Sequence, residues 1–247
     1  MVIQSRNNII EQVNVEQKNT DSAILKLKTE NAIDVAKTRE IESIGKQSNI
    51  VEIKLPGSSP FNVSCDSTLV DSGWTVIQRR QDGSEKFDRT MKDYQSGFGK
   101  PTGEFFMGLN KIHLLTQYKQ HELYIYLKNF NNEVRYARYS DFLIGGEEEN
   151  FKLKSLGEYS GDAGDAMVHH LNMQFSTLDA DHDNWGTGNC AEWLHSGWWF
   201  DKCGKCNLNG LYRAENHMYE KWGVNWFSWT NTSLKFVQMM IRPKVKL

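Results

Sequence analysis

Residues 74–83 read Trp-Thr-Val-Ile-Gln-Arg-Arg-Gln-Asp-Gly and carry the clearest structural signal in the chain. The first seven residues of this stretch are rich in aromatic and β-branched side chains, which favour a strand. Gln81-Asp82-Gly83 follows with turn residues that tolerate a positive φ. The stretch therefore predicts a strand that ends in a tight turn.

Weaker signals of the same kind lie on both sides of this stretch. Residues 49–55, 122–128 and 233–242 alternate apolar and polar side chains and predict further strands. Residues 103–116 place apolar side chains at helical spacing and predict one helix.

Residues 157–232 are rich in Gly, Asn, Asp and Trp and show little periodicity. A long irregular region in a compact domain is usually functional, or is held by metal ions and disulfides.

The charge balance excludes several functional classes. The 247 residues include 29 Lys and Arg against 31 Asp and Glu, a net charge of −2. This balance argues against a non-specific nucleic-acid binder and against a polybasic membrane protein. No apolar run approaches the roughly 20 residues of a membrane span. The first residues also lack the basic and apolar regions of a signal peptide, so we expect either an intracellular protein or a chain given without its leader.

Residues 1–43, called the arm below, differ in composition from the rest. Every aromatic residue, Cys and His lies at Phe61 or later. The arm is rich in Glu, Lys, Gln and Asn with isolated Ile, Val and Leu, which is typical of a helix without a globular core. In its best heptad register, half of the a and d positions are polar. Two states fit this pattern, a weak coiled coil in an oligomer or a solvated helical arm.

The segment Leu178-Asp-Ala-Asp-His-Asp-Asn-Trp-Gly-Thr-Gly188 is the strongest chemical motif. Its three carboxylates stand at alternate positions and can converge on one centre, and hard oxygen ligands in a tight loop suit Ca²⁺. An EF-hand is excluded, because Asn184 and Cys190 stand where that loop needs Gly and Glu. The alternative is a solvated acidic loop whose Asp side chains cap turns.

The cysteines allow more than one chemistry. Cys190 and Cys203 are 13 residues apart and could close a disulfide around Trp198-Trp199. Cys203-Gly-Lys-Cys206 also matches a redox or half-zinc motif, but no strand–helix–strand unit or second ligand pair supports either use. Asn62 and Asn231 begin N-glycosylation sequons. No nucleophile, P-loop or dinucleotide motif is present, so nothing predicts an enzyme.

Taken in order, these motifs resemble the fibrinogen C-terminal domain family from about Ile44 to the end of the chain. The resemblance is carried by the strand and turn at 74–83 and by a series of short motifs. These are Phe98-Gly99, Gly103-Glu104-Phe105, Gly108-Leu109, Phe175-Ser176-Thr177, Asn189-Cys190-Ala191, Gly197-Trp198-Trp199, Cys203, Asn207-Leu-Asn-Gly-Leu-Tyr212 and Ile241-Arg242-Pro243.

The resemblance implies an α+β fold with a central, mostly antiparallel sheet, few short helices and a loop-rich calcium and pocket subdomain. The globular domain then spans residues 44–247 and the arm precedes it. Family members are secreted, extracellular binding modules that often multimerise through an N-terminal stalk, which favours a homo-oligomer formed by the arm. A membrane span, a nucleic-acid partner and enzymatic activity are not expected.

The resemblance also assigns site residues. It places Ca²⁺ ligands on the side chains of Asp181 and Asp183 and on the carbonyls of Trp185 and Thr187, with Asp179 as a supporting acid or turn former. It pairs Cys190 with Cys203 and implies a cis peptide at Lys202-Cys203. The expected ligand pocket is lined by five residues: Trp193, Leu194, Lys202, Cys203 and Trp226.

Departures from the family pattern leave the ligand open. Gly204 stands where lectin-type members carry a His, and Leu194 stands where an aromatic residue is common. Cys65 lacks its usual upstream partner, so it could bridge to Cys206, join another chain or stay reduced. We expect a calcium-binding, lectin-like recognition protein for acetylated or other surface glycans in innate immunity. The alternative is an angiopoietin- or tenascin-like protein ligand or adhesion factor that acts on an extracellular receptor.

Overall fold

The computed structural model describes residue 12, residues 15–26, residue 28, and residues 50–56, 58–213 and 222–244. The chain divides into two compact units, Met1–Ser43 and Ile44–Leu247. The described residues of the first unit are helical and exposed. Among all described residues, no helix combines the length and apolar character needed to cross a membrane.

The second unit is built on one large sheet. Its strands are, in chain order, β1 Ile50–Ile53, β2 Phe61–Asp66, β3 Trp74–Arg80, β4 Phe98–Gly99, β5 Phe105–Phe106, β6 His121–Asn129, β7 Val134–Ile144, β8 Leu153–Ser155, β9 Tyr159–Gly161 and β12 Leu234–Pro243. The main path runs β1-β2-β3-β12-β6-β7-β8, with β4 and β5 beside β3 and β9 beside β7. All pairings of these strands are antiparallel.

The remaining elements are short. The helices of this unit are α1 Met91–Ser96, α2 Leu109–Tyr118 and α3 Cys190–Leu194, and 3₁₀ turns lie at Glu147–Glu149 and Met167–His170. A separate two-stranded ladder joins β10 Cys206–Asn207 to β11 Asn225–Trp226. The predicted α+β architecture, with a mostly antiparallel sheet and few short helices, is confirmed.

The predicted helix over residues 103–116 begins later than expected. Phe105 and Phe106 pair with Arg79 and Gln78 of β3 and therefore form β5. Gly108 then precedes α2 with a φ of 110°, a left-handed conformation that favours glycine. The helical spacing of apolar residues in this segment could not reveal the strand, because pairing with β3 is a tertiary contact.

A buried ion pair organises the end of β3. Arg80 Nε lies 3.5 Å from Glu104 Oε1, and both side chains are buried. The Glu104 carboxylate also accepts hydrogen bonds from the backbone N–H groups of Gln81, Asp82 and Glu85. Arg80 stacks on the Phe87 ring, 3.9 Å from its centroid. The buried carboxylate therefore fixes the turn that the Gln81-Asp82-Gly83 sequence predicts.

Glu104→Gln should lower the free energy of unfolding by about 3–5 kcal/mol, because it keeps the shape of the side chain but leaves the Arg80 charge buried without its partner. Urea unfolding measures this loss. The more exposed pair Glu149–Lys154 provides the control, since a solvent-exposed ion pair contributes little and Glu149→Gln should cost far less than Glu104→Gln. Equal losses in the two variants would contradict this role for Glu104.

Candidate functional site

The loop-rich half of the domain is attached to the sheet through polar side chains of β3. Gln78 Nε2 donates to the Leu208 carbonyl (2.7 Å) and to Asn209 Oδ1 (3.1 Å). Arg80 Nη1 donates to the Gly210 carbonyl at 2.6 Å. These bonds are buried, so β3 sets the position of the chain that leads into the candidate site.

An aromatic cluster around Tyr94 gives a second attachment. Thr90 and Asp93 form a capping box that starts α1, and α1 buries Tyr94. The Tyr94 hydroxyl donates to the Phe87 carbonyl (2.7 Å) and accepts from the Gly197 N–H (3.1 Å). Gly197 leads directly into the buried pair Trp198-Trp199.

The Cys190–Cys203 disulfide joins α3 to the opposite loop, with 5.2 Å between the two Cα atoms. It is the pairing that the family resemblance implied. The implied cis peptide is wrong: Lys202–Cys203 is trans, and the chain turns instead because Cys203 takes a left-handed φ of 64°. Cys65 and Cys206 are both buried and are not bridged to each other.

The Asp loop sits immediately before α3. Asp183 Oδ1 accepts from the Trp185 N–H and Asp183 Oδ2 from the Cys190 N–H, each at 2.7 Å. Asp181 Oδ1 accepts from the Asp183 N–H at 3.2 Å. Asp179 points elsewhere, because its Oδ1 accepts from the Met91 N–H and the Thr177 hydroxyl. Asp179 therefore shapes the turn, as expected.

The donors in this loop fit a hard cation. Burial raises the pKa of Asp183, and the adjacent Asp181 carboxylate raises it further. No described Lys, Arg or His forms an ion pair with either acid, so two like charges face each other without a counter-charge. Ca²⁺ prefers carboxylate and carbonyl oxygens. The Trp185 carbonyl accepts from the Gly188 N–H at 3.0 Å and retains a second lone pair.

The described residues hold no group of three His, Cys, Asp or Glu side chains that could bind a metal ion. A cation at this loop would therefore rely on the two Asp side chains, backbone carbonyls such as those of Trp185 and Thr187, and water. The four-residue ligand assignment stays a prediction.

A cleft of about 670 Å³ opens beside the disulfide, with Cys203 in its wall. Four of the five expected pocket residues line it together, namely Trp193, Leu194, Lys202 and Cys203. Trp193 is 38 % exposed, and its ring meets Trp185 edge-to-face at 5.8 Å. The remaining lining residues are Trp185, Gly204, Lys205, Cys206, Asn207, Asn225, Phe227 and Asn231.

The placement of Trp226 in this cleft is wrong. Trp226 is fully buried, and its Nε1 donates to the carbonyls of Ala163 and Gly164. Its chain neighbours Asn225 and Phe227 line the cleft instead. Successive side chains of an extended segment point to opposite faces. An error of one position along the segment therefore selects a side chain that points away from the cleft.

The chemistry of the cleft is aromatic and cationic. Lys202 and Lys205 are exposed, and the described lining residues include no Asp or Glu. Asn207 is buried and exchanges hydrogen bonds with the Ser196 hydroxyl. Such a surface offers an aromatic ring, amide groups and two ammonium groups to a bound molecule.

His170 forms the support behind the cleft. Its Nδ1 lies 2.7 Å from the Trp199 carbonyl, and its Nε2 accepts from the Cys206 N–H at 3.3 Å. A Cβ at Gly204 would stand 2.1 Å from the His170 ring. Glycine at 204 therefore leaves room for an imidazole that comes from a different loop. This contact could not be read from the sequence, where His170 is 34 positions away.

The redox interpretation of Cys203-Gly-Lys-Cys206 is not supported. Cys203 is already bonded to Cys190, and burial raises the pKa of the Cys206 thiol well above its ordinary value. The Cys206 thiol lies 3.7 Å from the Met167 sulfur. A reactive thiol must be accessible and must ionise readily to the thiolate. The Cys206 thiol is buried, and its raised pKa keeps it protonated.

Comparison with known proteins identifies the family. The family described as "Fibrinogen beta and gamma chains, C-terminal globular domain" matches residues 37–244. The chain belongs to the fibrinogen C-terminal domain family. It is therefore a fibrinogen-related domain protein, and ligand binding is the expected role of such a domain.

Relatives and solved structures agree with this assignment. The chain is 43% identical to human fibrinogen-like protein 1 over 216 residues, which cover 80% of this chain and 68% of that protein. It is 42% identical to Xenopus tropicalis fibrinogen C domain-containing protein 1, covering 75% of this chain and 42% of that protein. The fibrinogen-like globe domain of human ANGPTL2 superposes with a TM-score of 0.79 at 38% identity, covering 84% and 98% of the two chains. The matched region spans less than half the length of the Xenopus relative.

Stability should fall as pH drops from about 6.5 to 4, because two histidines are buried in the neutral form. Burial lowers the pKa of His121 and of His170 to about 4, whereas the pKa of an unfolded histidine is about 6.5. The unfolded chain then binds more protons in this window, so each histidine removes up to roughly 3 kcal/mol at its acid end.

The urea midpoint at pH 7, 5.5 and 4.5 measures this effect. His121→Gln and His170→Gln should each flatten the pH dependence. The exposed His169 provides the control. Burial is the main cause of the lowered pKa of His170 and the charge of His169 adds to it, so His169→Gln should change the slope far less than either buried-histidine variant. An equal slope in all four proteins would contradict the assignment.

Proposed function

We propose that this fibrinogen-related protein is a secreted, non-enzymatic recognition module that binds acetylated surface glycans in the cleft and needs Ca²⁺ at the Asp loop. Innate immune recognition is the role that such binding would serve. The observation that carries the proposal is that the Asp loop reaches the cleft wall twice, through Trp185, which lines the cleft, and through the Cys190–Cys203 disulfide, whose Cys203 lines it too.

One hydrogen bond and the disulfide connect the Asp loop to the cleft. Asp183 accepts from the Cys190 N–H, Cys190 is bonded to Cys203, and Cys203 lines the cleft. Ca²⁺ bound at this loop would neutralise the two facing carboxylates. Asp183 then holds the start of α3 in place, and the disulfide transmits this rigidity to the cleft wall. The ion thus supports the cleft without contacting the ligand.

The lining of the cleft fits a sugar ring. The partly exposed ring of Trp193 can pack against the apolar face of a sugar. The amides of Asn207 and Asn225 lie deeper and can fix an acetamido or hydroxyl group. Lys202 and Lys205 favour a glycan that also carries a carboxylate or sulfate. Oligomerisation through the arm would raise the avidity of such weak sites.

An angiopoietin-like role as a protein ligand is the second candidate. The observation that favours it is the cleft itself, since Gly204 and Leu194 replace residues that lectin-type members use. The likeness to the globe domain of human ANGPTL2 is in keeping with it. A pull-down from cell surfaces separates the candidates: retention after enzymatic deglycosylation supports a protein receptor, and competition by N-acetylglucosamine supports a glycan.

Ca²⁺ should raise the thermal stability of the protein, and Asp183→Asn should abolish the effect. At a Ca²⁺ concentration one hundred times the Kd, binding to the folded state alone contributes about 2.7 kcal/mol. Calorimetric scans with Ca²⁺ and with a chelator measure the shift. Glu192→Gln, an exposed acid on α3, is the control and should respond like the parent. No shift in the parent would contradict the Ca²⁺ site.

Trp193→Ala should weaken binding of acetylated serum albumin at least tenfold, because it removes the exposed aromatic platform. Surface plasmon resonance with Ca²⁺ present measures the affinity. Trp222 is 41 % exposed and does not line the cleft, so Trp222→Ala should bind like the parent. Binding that is indifferent to acetylation of the albumin and to chelation would overturn the glycan proposal.

A further inference from the structure

One of the two glycosylation sequons lies in the wall of the cleft. Asn231 is exposed and lines the cleft together with Asn225 and Phe227. It begins Asn231-Thr232-Ser233, which has no proline at the second position and fits the acceptor pattern. Asn62 begins the other sequon and lies on β2 beside a different, smaller cavity of about 150 Å³.

The backbone around Asn231 is held in place. The N–H groups of Trp229 and Thr230 both donate to the Trp226 carbonyl, and Trp226 is anchored in the core. The hydroxyls of Thr230 and Thr232 lie 2.9 Å apart on either side of Asn231. The Asn231 side chain itself makes no hydrogen bond to any described residue. The side-chain amide of Asn231 is therefore available for glycosylation. The hydrogen bonds of neighbouring residues hold Asn231 at the cleft.

We propose that an N-glycan on Asn231 occludes the cleft and competes with external ligands. The proposal rests on secretion and on the glycan-binding function given above. The sugar joined to a glycosylated asparagine is N-acetylglucosamine, which carries the same acetamido group as the proposed ligand class. Attached to the wall of the cleft, it is present at the millimolar effective concentration of a short tether. A weakly bound external sugar must displace it or fit beside it.

In this arrangement, the presence or absence of a glycan on Asn231 sets the affinity of the cleft for external ligands. Chains without sugar at Asn231 present an open cleft, and chains with sugar present a covered one. A glycan on Asn62 has no such effect, because Asn62 does not line the cleft. The two sequons thus form a matched pair within one molecule.

The test uses the full chain secreted from a eukaryotic host, with the Asn231→Gln and Asn62→Gln variants and the same parent chain from a host without N-glycosylation. Glycopeptide mass spectrometry first measures occupancy at Asn231, and an unoccupied site overturns the proposal. The unglycosylated parent separates loss of the sugar from loss of the asparagine side chain.

Two readouts follow. Lysine labelling with an N-hydroxysuccinimide ester reports cover over the cleft without any ligand: Lys202 and Lys205 should react at least twofold more slowly in the glycosylated parent than in Asn231→Gln. Lys86, exposed and outside the cleft, should react equally in both. Acetylated serum albumin should bind Asn231→Gln and the unglycosylated parent at least threefold more tightly than the glycosylated parent, whereas Asn62→Gln should match the glycosylated parent.

The outcomes separate the two proposals. Equal labelling of Lys202 and Lys205 in the glycosylated parent and in Asn231→Gln overturns occlusion, and so does tighter albumin binding by Asn62→Gln to the same extent as by Asn231→Gln. Slower labelling in the glycosylated parent, with no albumin binding by any form, supports occlusion by the glycan and refutes acetylated-glycan recognition.

Discussion

The buried carboxylate of Glu104 is the constraint on which the rest of the domain depends. A charge without water needs a partner and hydrogen bonds, and Glu104 obtains these from Arg80 and from three backbone N–H groups of the following turn. Arg80 in turn donates to the Gly210 carbonyl. One ion pair therefore joins β3, the turn after it and the chain that enters the candidate site.

The site inherits its rigidity from this arrangement. Gln78 fixes Asn209, and Asn209 Nδ2 donates to the Gly197 carbonyl at 2.9 Å. Gly197 is held a second time by the Tyr94 hydroxyl. The irregular region is thus ordered by buried side-chain hydrogen bonds to its backbone, which replace the ladders of a regular sheet. A cleft built on such loops keeps its shape without belonging to the sheet.

Local sequence signals predicted the central strands well and the site less well. The strands at 74–80, 122–128 and 233–242 were predicted because alternation and β-branched residues report directly on a pleated, buried sheet. The start of α2 was predicted too early, because the Phe105-Phe106 pairing with β3 leaves no periodic signal. In the cleft, Trp226 was chosen where Phe227 and Asn225 face the opening. The sequence placed Trp185 in the Asp loop and Asn207 in a family motif, but no local pattern assigned the side chains of Trp185, Asn207 or Lys205 to the cleft.

The sequence by itself determined the sheet-forming segments, the acidic loop, the two sequons and, through its ordered motifs, membership of the fibrinogen C-terminal domain family. These properties depend on residue type and local spacing. The tertiary structure alone decided that His170 fills the space beside Gly204, that Asn231 stands in the cleft wall, and which of two adjacent residues faces the cleft. These facts depend on where segments that are far apart in the sequence pack against one another. No local pattern of side chains encodes that packing.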